Sequence, residues 1–111
     1  MMKIPISPAA GALLRALIAR AGAARDRILL SDASSTDWQS LTFSGERHQL
    51  ALRIAGPDSG AVAARICGGL EDAEFSIPGL LVADIAVVGA PRRSADGATD
   101  LTIEALTIAA D

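Results

Sequence analysis

Two periodicities organise this chain. Leu13, Leu14, Leu17, Ile18 and Ala21 recur at the 3-4-3 spacing of one helix face. Ser7-Pro8 opens that run with a hydroxyl N-cap and a proline at the first helical position, and Gly22 can close it in a left-handed conformation. These signals predict a helix over 8–21, with Arg15 and Arg20 pointing away from its apolar face. His48, Leu50, Leu52 and Ile54 then alternate with Gln49, Ala51, Arg53 and Ala55, the period of a half-buried strand. Ahead of it, residues 27–31 read as a short apolar strand and 38–43 as another. Ser44-Gly45 supplies a turn signal, so the hairpin is expected to reverse near Gly45.

Gly56-Pro57-Asp58 breaks the strand, and Asp58 or Ser59 can cap a second helix whose buried stripe is Val62, Ile66, Leu70 and Ala73. Gly68-Gly69 inside that stretch reads as close packing of helix backbone on a sheet or as an early helix end. Ile77-Pro78-Gly79 marks a turn. Leu81, Ala83, Ile85 and Val87 alternate with Val82, Asp84, Ala86 and Val88. Leu101, Ile103 and Ala105 alternate with Thr102 and Glu104, and the pattern then slips to Leu106 and Ile108, as a β-bulge would produce. Residues 89–98, with Pro91, Arg92, Arg93, Asp96 and Gly97, read as an exposed hairpin loop.

The resulting order, α-β-β-β-α-β-β, predicts one α+β domain over residues 1–111, with residues 1–7 as a flexible N-terminal segment. Two helices should pack on one face of a four- to five-stranded antiparallel sheet. The other face should carry Gln49, Ala51, Arg53, Asp84, Ala86, Thr102 and Glu104, a small mixed surface without a large apolar patch.

Composition sharpens this picture. The chain holds 23 alanines but one Trp, two Phe and no Tyr, so its core must be aliphatic. A formal net charge of −3 and ten scattered Lys and Arg residues argue against a dedicated nucleic-acid binder, which needs a basic stripe. One Cys and one His exclude an internal disulfide and a Cys₂His₂ zinc site. No cofactor or metal is expected. No apolar run approaches the roughly 18 residues of a membrane span. Lys3 followed by an Ala/Leu-rich stretch and Ala21-Gly22-Ala23 imitates a signal peptide, but Arg15 and Arg20 interrupt it; an uncleaved cytoplasmic chain is expected.

Candidate chemistry is sparse. His48 could act as a base for Cys67 or a serine, but it shares strand parity with Leu50 and Leu52, which favours a packed His that caps a hydrogen bond. Cys67 lies beside the second helix's stripe, where buried thiols are inert. Asp32 and Asp37 flank a Ser/Thr stretch that lacks the ligand spacing of a calcium loop and reads as a polar turn. Glu71, Asp72 and Glu74 fit the solvated end of a helix, and Arg92-Arg93 is too short for a nucleic-acid footprint. Trp38 differs in parity from Leu41 and Phe43, which makes it either an exposed contact anchor or a core or edge-covering residue. No enzyme motif emerges, and no catalytic residue is expected.

The order of these signals is more specific than any one of them. An Ala/Leu-rich first helix is followed by Asp37-Trp38, then by Gly45-Glu46-Arg47-His48 running into Leu50-Ala51-Leu52-Arg53-Ile54. A helix after a Gly/Pro/Asp turn, Ile77-Pro78-Gly79, and a hairpin with Asp96-Gly97 at its tip complete the series. From about residue 9 to 108 the chain resembles the tail-terminator (tail-completion) proteins of siphophages and of alphaproteobacterial gene transfer agents. It departs from them in being short, with a reduced segment before Trp38 that lacks an aromatic-bearing strand. The resemblance implies a structural protein of a phage-like particle: a homo-oligomeric ring, hexameric in that family, that caps the tail tube and meets head-completion proteins. It implies no catalytic residue, cofactor, nucleic-acid specificity or membrane. Trp38, Arg53, Asp84, Arg92, Arg93 and Glu104 are the expected interface positions. The alternatives are a small cytoplasmic adaptor or regulatory domain, or an accessory subunit of an enzyme.

Overall fold

The computed structural model describes residues 5–110; residues 1–4, part of the expected N-terminal segment, lie outside that range. Within it run α1 (Pro8–Ala21), β1 (Ile28–Gln39), β2 (Ser44–Ile54), α2 (Ser59–Cys67), β3 (Leu80–Val87), β4 (Arg92–Arg93) and β5 (Thr99–Ala109). The strands form one antiparallel sheet in the order β1-β2-β5-β3, with β4 beside β5. The fold is α+β, with a five-stranded antiparallel sheet and both helices on one face.

The first helix follows its local signals. The Ser7 hydroxyl accepts a hydrogen bond from the Ala10 N–H at 3.1 Å, Pro8 begins the first turn, and Gly22 closes the last one at φ 63°. Ala10, Leu13, Leu17 and Ala21 are buried, with Leu14 and Ile18 packed at the margin. They meet Leu50, Leu52 and Ile54 of β2 and Leu101, Ile103 and Ala105 of β5. Val62, Ala63 and Ile66 of α2 join the same layer. It is an aliphatic core, and its members are essentially inaccessible to water.

Several sequence expectations are corrected. Residues 28–39 form one twelve-residue strand, not two strands separated by a polar turn, so Asp32 and Asp37 lie in β1. Apolar alternation fails there because β1 is an edge strand that runs past the helix layer, and its Ser, Thr and Asp side chains reach water. The hairpin reverses at residues 40–43, where the Ser40 N–H donates to the Phe43 carbonyl at 2.8 Å. Gly45 is therefore inside β2, opposite Ile108 of β5. No bulge interrupts β5; its register with β2 is continuous from Thr99 to Ile108. Leu106 and Ile108 thus stand on the face away from the helices. The bulges fall instead at Ser31 in β1 and Ala83 in β3. The second one reverses the expected parity of β3 ahead of Ala83 only: Ile85 and Val87 face the core as expected, Val82 joins them there, and Leu81 does not.

The second helix ends early, at Cys67, and Leu70 reaches the core from a separate 3₁₀ turn at Leu70–Asp72. Asp58 occupies its N-cap position without capping it, because its carboxylate pairs with Arg27. The two helix C-termini lie together and exchange arginines. Arg20 of α1 donates to the Ile66 carbonyl at 2.9 Å and to the Gly68 carbonyl, while Arg65 of α2 donates to the Ala21 carbonyl at 2.7 Å. Each guanidinium satisfies carbonyls left open at the other helix's negative end. Arg20, expected to face away, thus joins Arg65 in linking the two helices.

Gly45 sits where β5 comes closest. A side-chain carbon there would fall inside the van der Waals envelope of the Thr107 carbonyl oxygen, which is backbone and cannot swing aside. Gly45→Ala should therefore destabilise the fold by about 1–3 kcal/mol, the usual cost of forced overpacking. Urea denaturation of the variant beside the parent measures this.

Candidate functional site

The sheet face opposite the helices is the surface on which the expected interface residues can be located. Cross-strand register arranges it in rows. At one end, Trp38, Gly45, Ile108 and Leu81 follow one another across β1, β2, β5 and β3. The next row is Thr36, Arg47, Leu106 and Asp84, and after it Ser34, Gln49, Glu104 and Ala86. Asp32, Ala51 and Thr102 follow. The last row holds Leu29, Arg53, Asp100 and Arg92. Trp38, Arg53, Asp84, Arg92 and Glu104 thus share this face.

Arg93 does not. Its strand partner Thr99 is buried on the helix side, where the Thr99 and Ser59 hydroxyls lie 2.8 Å apart. Arg93 itself donates to the Pro57 carbonyl at 3.3 Å. One residue's difference in strand parity separates it from Arg92.

This face is less uniform than expected. Its first row is apolar, and the adjoining hairpin turn carries Leu41, fully exposed, and Phe43, 52% exposed; Leu81 in the row is 56% exposed. Phe43 and Leu81 line one shallow hollow with Ala109 and Ala110. Sequence reading missed this end because it placed Leu81 and the Leu106–Ile108 stretch on the core side. The bulge at Ala83 decides the side of Leu81, and the uninterrupted register of β5 decides that of Leu106 and Ile108; a bulge has no reliable local signature. Trp38 is half-buried opposite Gly45, an aromatic beside a position without a side chain.

At the other end of the face, Arg53 is already engaged. Its guanidinium donates to both Asp100 carboxylate oxygens at 3.2 and 3.0 Å, to the Ser94 hydroxyl at 3.3 Å, and to Asp96 at 2.5 Å. The hydrogen bonds it donates to Asp96 and Asp100 hold the Arg53 pKa above its ordinary value. The Ala98 N–H, then Arg53, hold the Asp96 carboxyl below the usual carboxylate range. The cluster ties the 89–98 loop to the sheet, so Arg53 acts as a clasp. Asp84 and Glu104 have no ion-pair partner among the described residues.

On the helix side, a polar row crosses three strands where the aliphatic layer ends. Ser35 Oγ lies 2.7 Å from His48 Nδ1, and His48 Nε2 lies 2.8 Å from Thr107 Oγ1. His48 is 1% exposed. A neutral imidazole offers one donor and one acceptor, and the two hydroxyls complement either tautomer. Burial lowers the His48 pKa, against a smaller opposing pull from the Glu46 carboxylate. The second ring nitrogen meets a hydroxyl rather than the carboxylate that orients a catalytic His. Cys67 lies elsewhere, in a groove with Leu70, Val87, Ala90 and Pro91, and burial raises its thiol pKa. His48 and Cys67 are therefore not brought together. Glu71, Asp72 and Glu74 are exposed. Among the described residues, no cluster of His, Cys, Asp and Glu is placed to hold a metal ion, and no helix is long and apolar enough to cross a membrane.

Two tests follow from these contacts. Because His48 is disfavoured as a cation in the fold, the unfolded chain binds more protons below its pKa of 6.5. Its stabilising contribution is complete above that value and is lost as pH falls from it toward the lower folded pKa. Denaturation at pH 7.5 and 5.5 should show that loss, and a His48→Gln variant should lack this component. Arg53→Ala should free the 89–98 loop, giving faster amide exchange at Ala98 with the sheet core unchanged. Compared with family models, curated proteins and solved structures, the chain finds no match.

Proposed function

We propose that this protein terminates tail assembly in a phage-like particle, forming a ring that caps the tail tube and presents a surface to head-completion proteins. The observation that carries the reading is the order of sequence signals across residues 9–108. Two structural features support it. The sheet leaves one whole face without a helix layer, and that face ends in an apolar row beside the exposed Leu41 and Phe43. Trp38, Asp84, Arg92 and Glu104 on that face are the positions proposed to meet neighbouring subunits or the tail tube. Arg53 orders the loop beside them.

Such a role needs shape and a closed set of contacts. A head-to-tail contact repeated by rotation closes a ring, whereas one that fails to close grows a filament. A subunit this small offers limited area per contact, so the isolated chain is expected to associate weakly and to assemble fully on the tube end. Assembly on this reading takes place in the cytoplasm of the producing cell.

Deleting the gene in a producing strain tests the proposal. Electron microscopy should then show tails of uncontrolled length, or heads and tails left unjoined. Particles of normal length with joined tails would overturn the reading, and so would a strain that makes no particles at all.

A further inference from the structure

The sheet has four long strands, and an even number has a consequence for its two edges. β1 and β3 run in opposite directions, so β3 of one copy can lie antiparallel to β1 of the next without turning either molecule over. The helix layers then stay on one side. Among the described residues, neither edge has a strand partner of its own along these stretches. β1 pairs with β2 alone, and β3 pairs with β5 and, at its start, through the Ile77–Leu80 bridge; the 3₁₀ turn at Leu70–Asp72 lies against β3 without forming a ladder with it. Phe75, upstream of that bridge, packs against the core instead.

The backbone groups also match. The Ser40 N–H bonds to the Phe43 carbonyl, so alternation along the hairpin directs the backbone of Ala33, Ser35, Asp37 and Gln39 to the free edge. On β3, the bonds from the Val88 N–H to the Thr102 carbonyl and from the Ala110 N–H to the Gly79 carbonyl set the alternation on either side of the bulge. They direct Leu80, Val82, Ile85 and Val87 outward. Both sets carry their side chains on the helix side, as a shared ladder requires. Neither edge carries the Lys or Pro that commonly guards against pairing.

We propose that β3 of one copy pairs with β1 of the next, in the register that places Leu81 against Trp38, Asp84 against Thr36 and Ala86 against Ser34. In that register the exposed Leu81 is covered by the neighbour's tryptophan. The apolar row Trp38–Gly45–Ile108–Leu81 then continues from subunit to subunit. Asp84 faces a hydroxyl that can donate to it, and no two like charges stand opposite each other. The contact is head-to-tail, the kind a closed ring requires. Its biological meaning rests on the ring reading above, but the contact stands or falls separately.

Engineered cysteines test it in the full chain with Cys67 replaced by Ser. Ser34 and Ala86 would form a non-hydrogen-bonded pair, whose Cα separation of about 4.5 Å permits a disulfide. Ser34→Cys mixed with Ala86→Cys should give an oxidised cross-linked dimer, and the double variant should give a ladder of covalent oligomers. Each single variant alone should give neither, and circular dichroism should show the parental fold in all. Cross-linking of Ser34→Cys to itself would overturn the proposal in favour of a two-fold β1–β1 contact. Absence of cross-links, with the chain monomeric by sedimentation up to its solubility limit, would also overturn it. A terminator phenotype on gene deletion without cross-links removes this contact and keeps the ring reading. Cross-links with normal particles after deletion do the reverse.

Discussion

The structure depends on the pairing of β2 with β5. These two strands supply the floor of the core through Leu50, Leu52 and Ile54 on one side and Leu101, Ile103 and Ala105 on the other. Both helices pack on that floor. The strands are distant in sequence, so their ladder forms only by closing a long loop whose entropy must be offset by burial of the helix stripes. With few aromatics the burial is aliphatic and thin, and small losses of packing area weigh heavily. Their uninterrupted ten-pair register also determines which side chains are left on the open face.

Where the aliphatic layer stops, polar groups take over with their hydrogen bonds satisfied. The Ser35–His48–Thr107 row closes one margin, and Ser59 with Thr99 another. Among the described residues, no buried side-chain nitrogen or oxygen lacks a partner. At the joint between the helices, Arg20 and Arg65 serve as caps, and Arg27 does similar work at the strand-to-helix turn through the Ala55 carbonyl and Asp58. Arginine suits these places because its planar fork satisfies carbonyls while its stem packs along apolar surface.

The division of the surface follows from this economy of core. One sheet face is consumed by the helices, and two short helices cannot cover the other. The open face is polar through its middle and apolar at the end near the hairpin tip. Arg53, Asp96 and Asp100 are occupied in holding the loop, and Asp84 and Glu104 have no ion-pair partner among the described residues.

The sequence by itself determined the elements whose signals are local. The first helix was legible to its ends, because Ser7, Pro8 and Gly22 act within one turn of backbone. The α+β class, the half-buried strand at His48–Ile54 and the packed role of His48 were legible from periodicity alone. Only the tertiary structure decided the rest. Asp32 to Asp37 became strand because β2 offered a ladder, and an edge strand can keep polar side chains in water. Gly45 entered a strand, despite its turn chemistry, because β1 and β5 pair on either side of it, and its missing side chain leaves room for the Thr107 carbonyl. Bulges at Ser31 and Ala83 shifted the parity of β1 and β3, which put Leu81 on the open face. These outcomes depend on which strand lies alongside, a long-range property that residue pattern does not encode within any one segment.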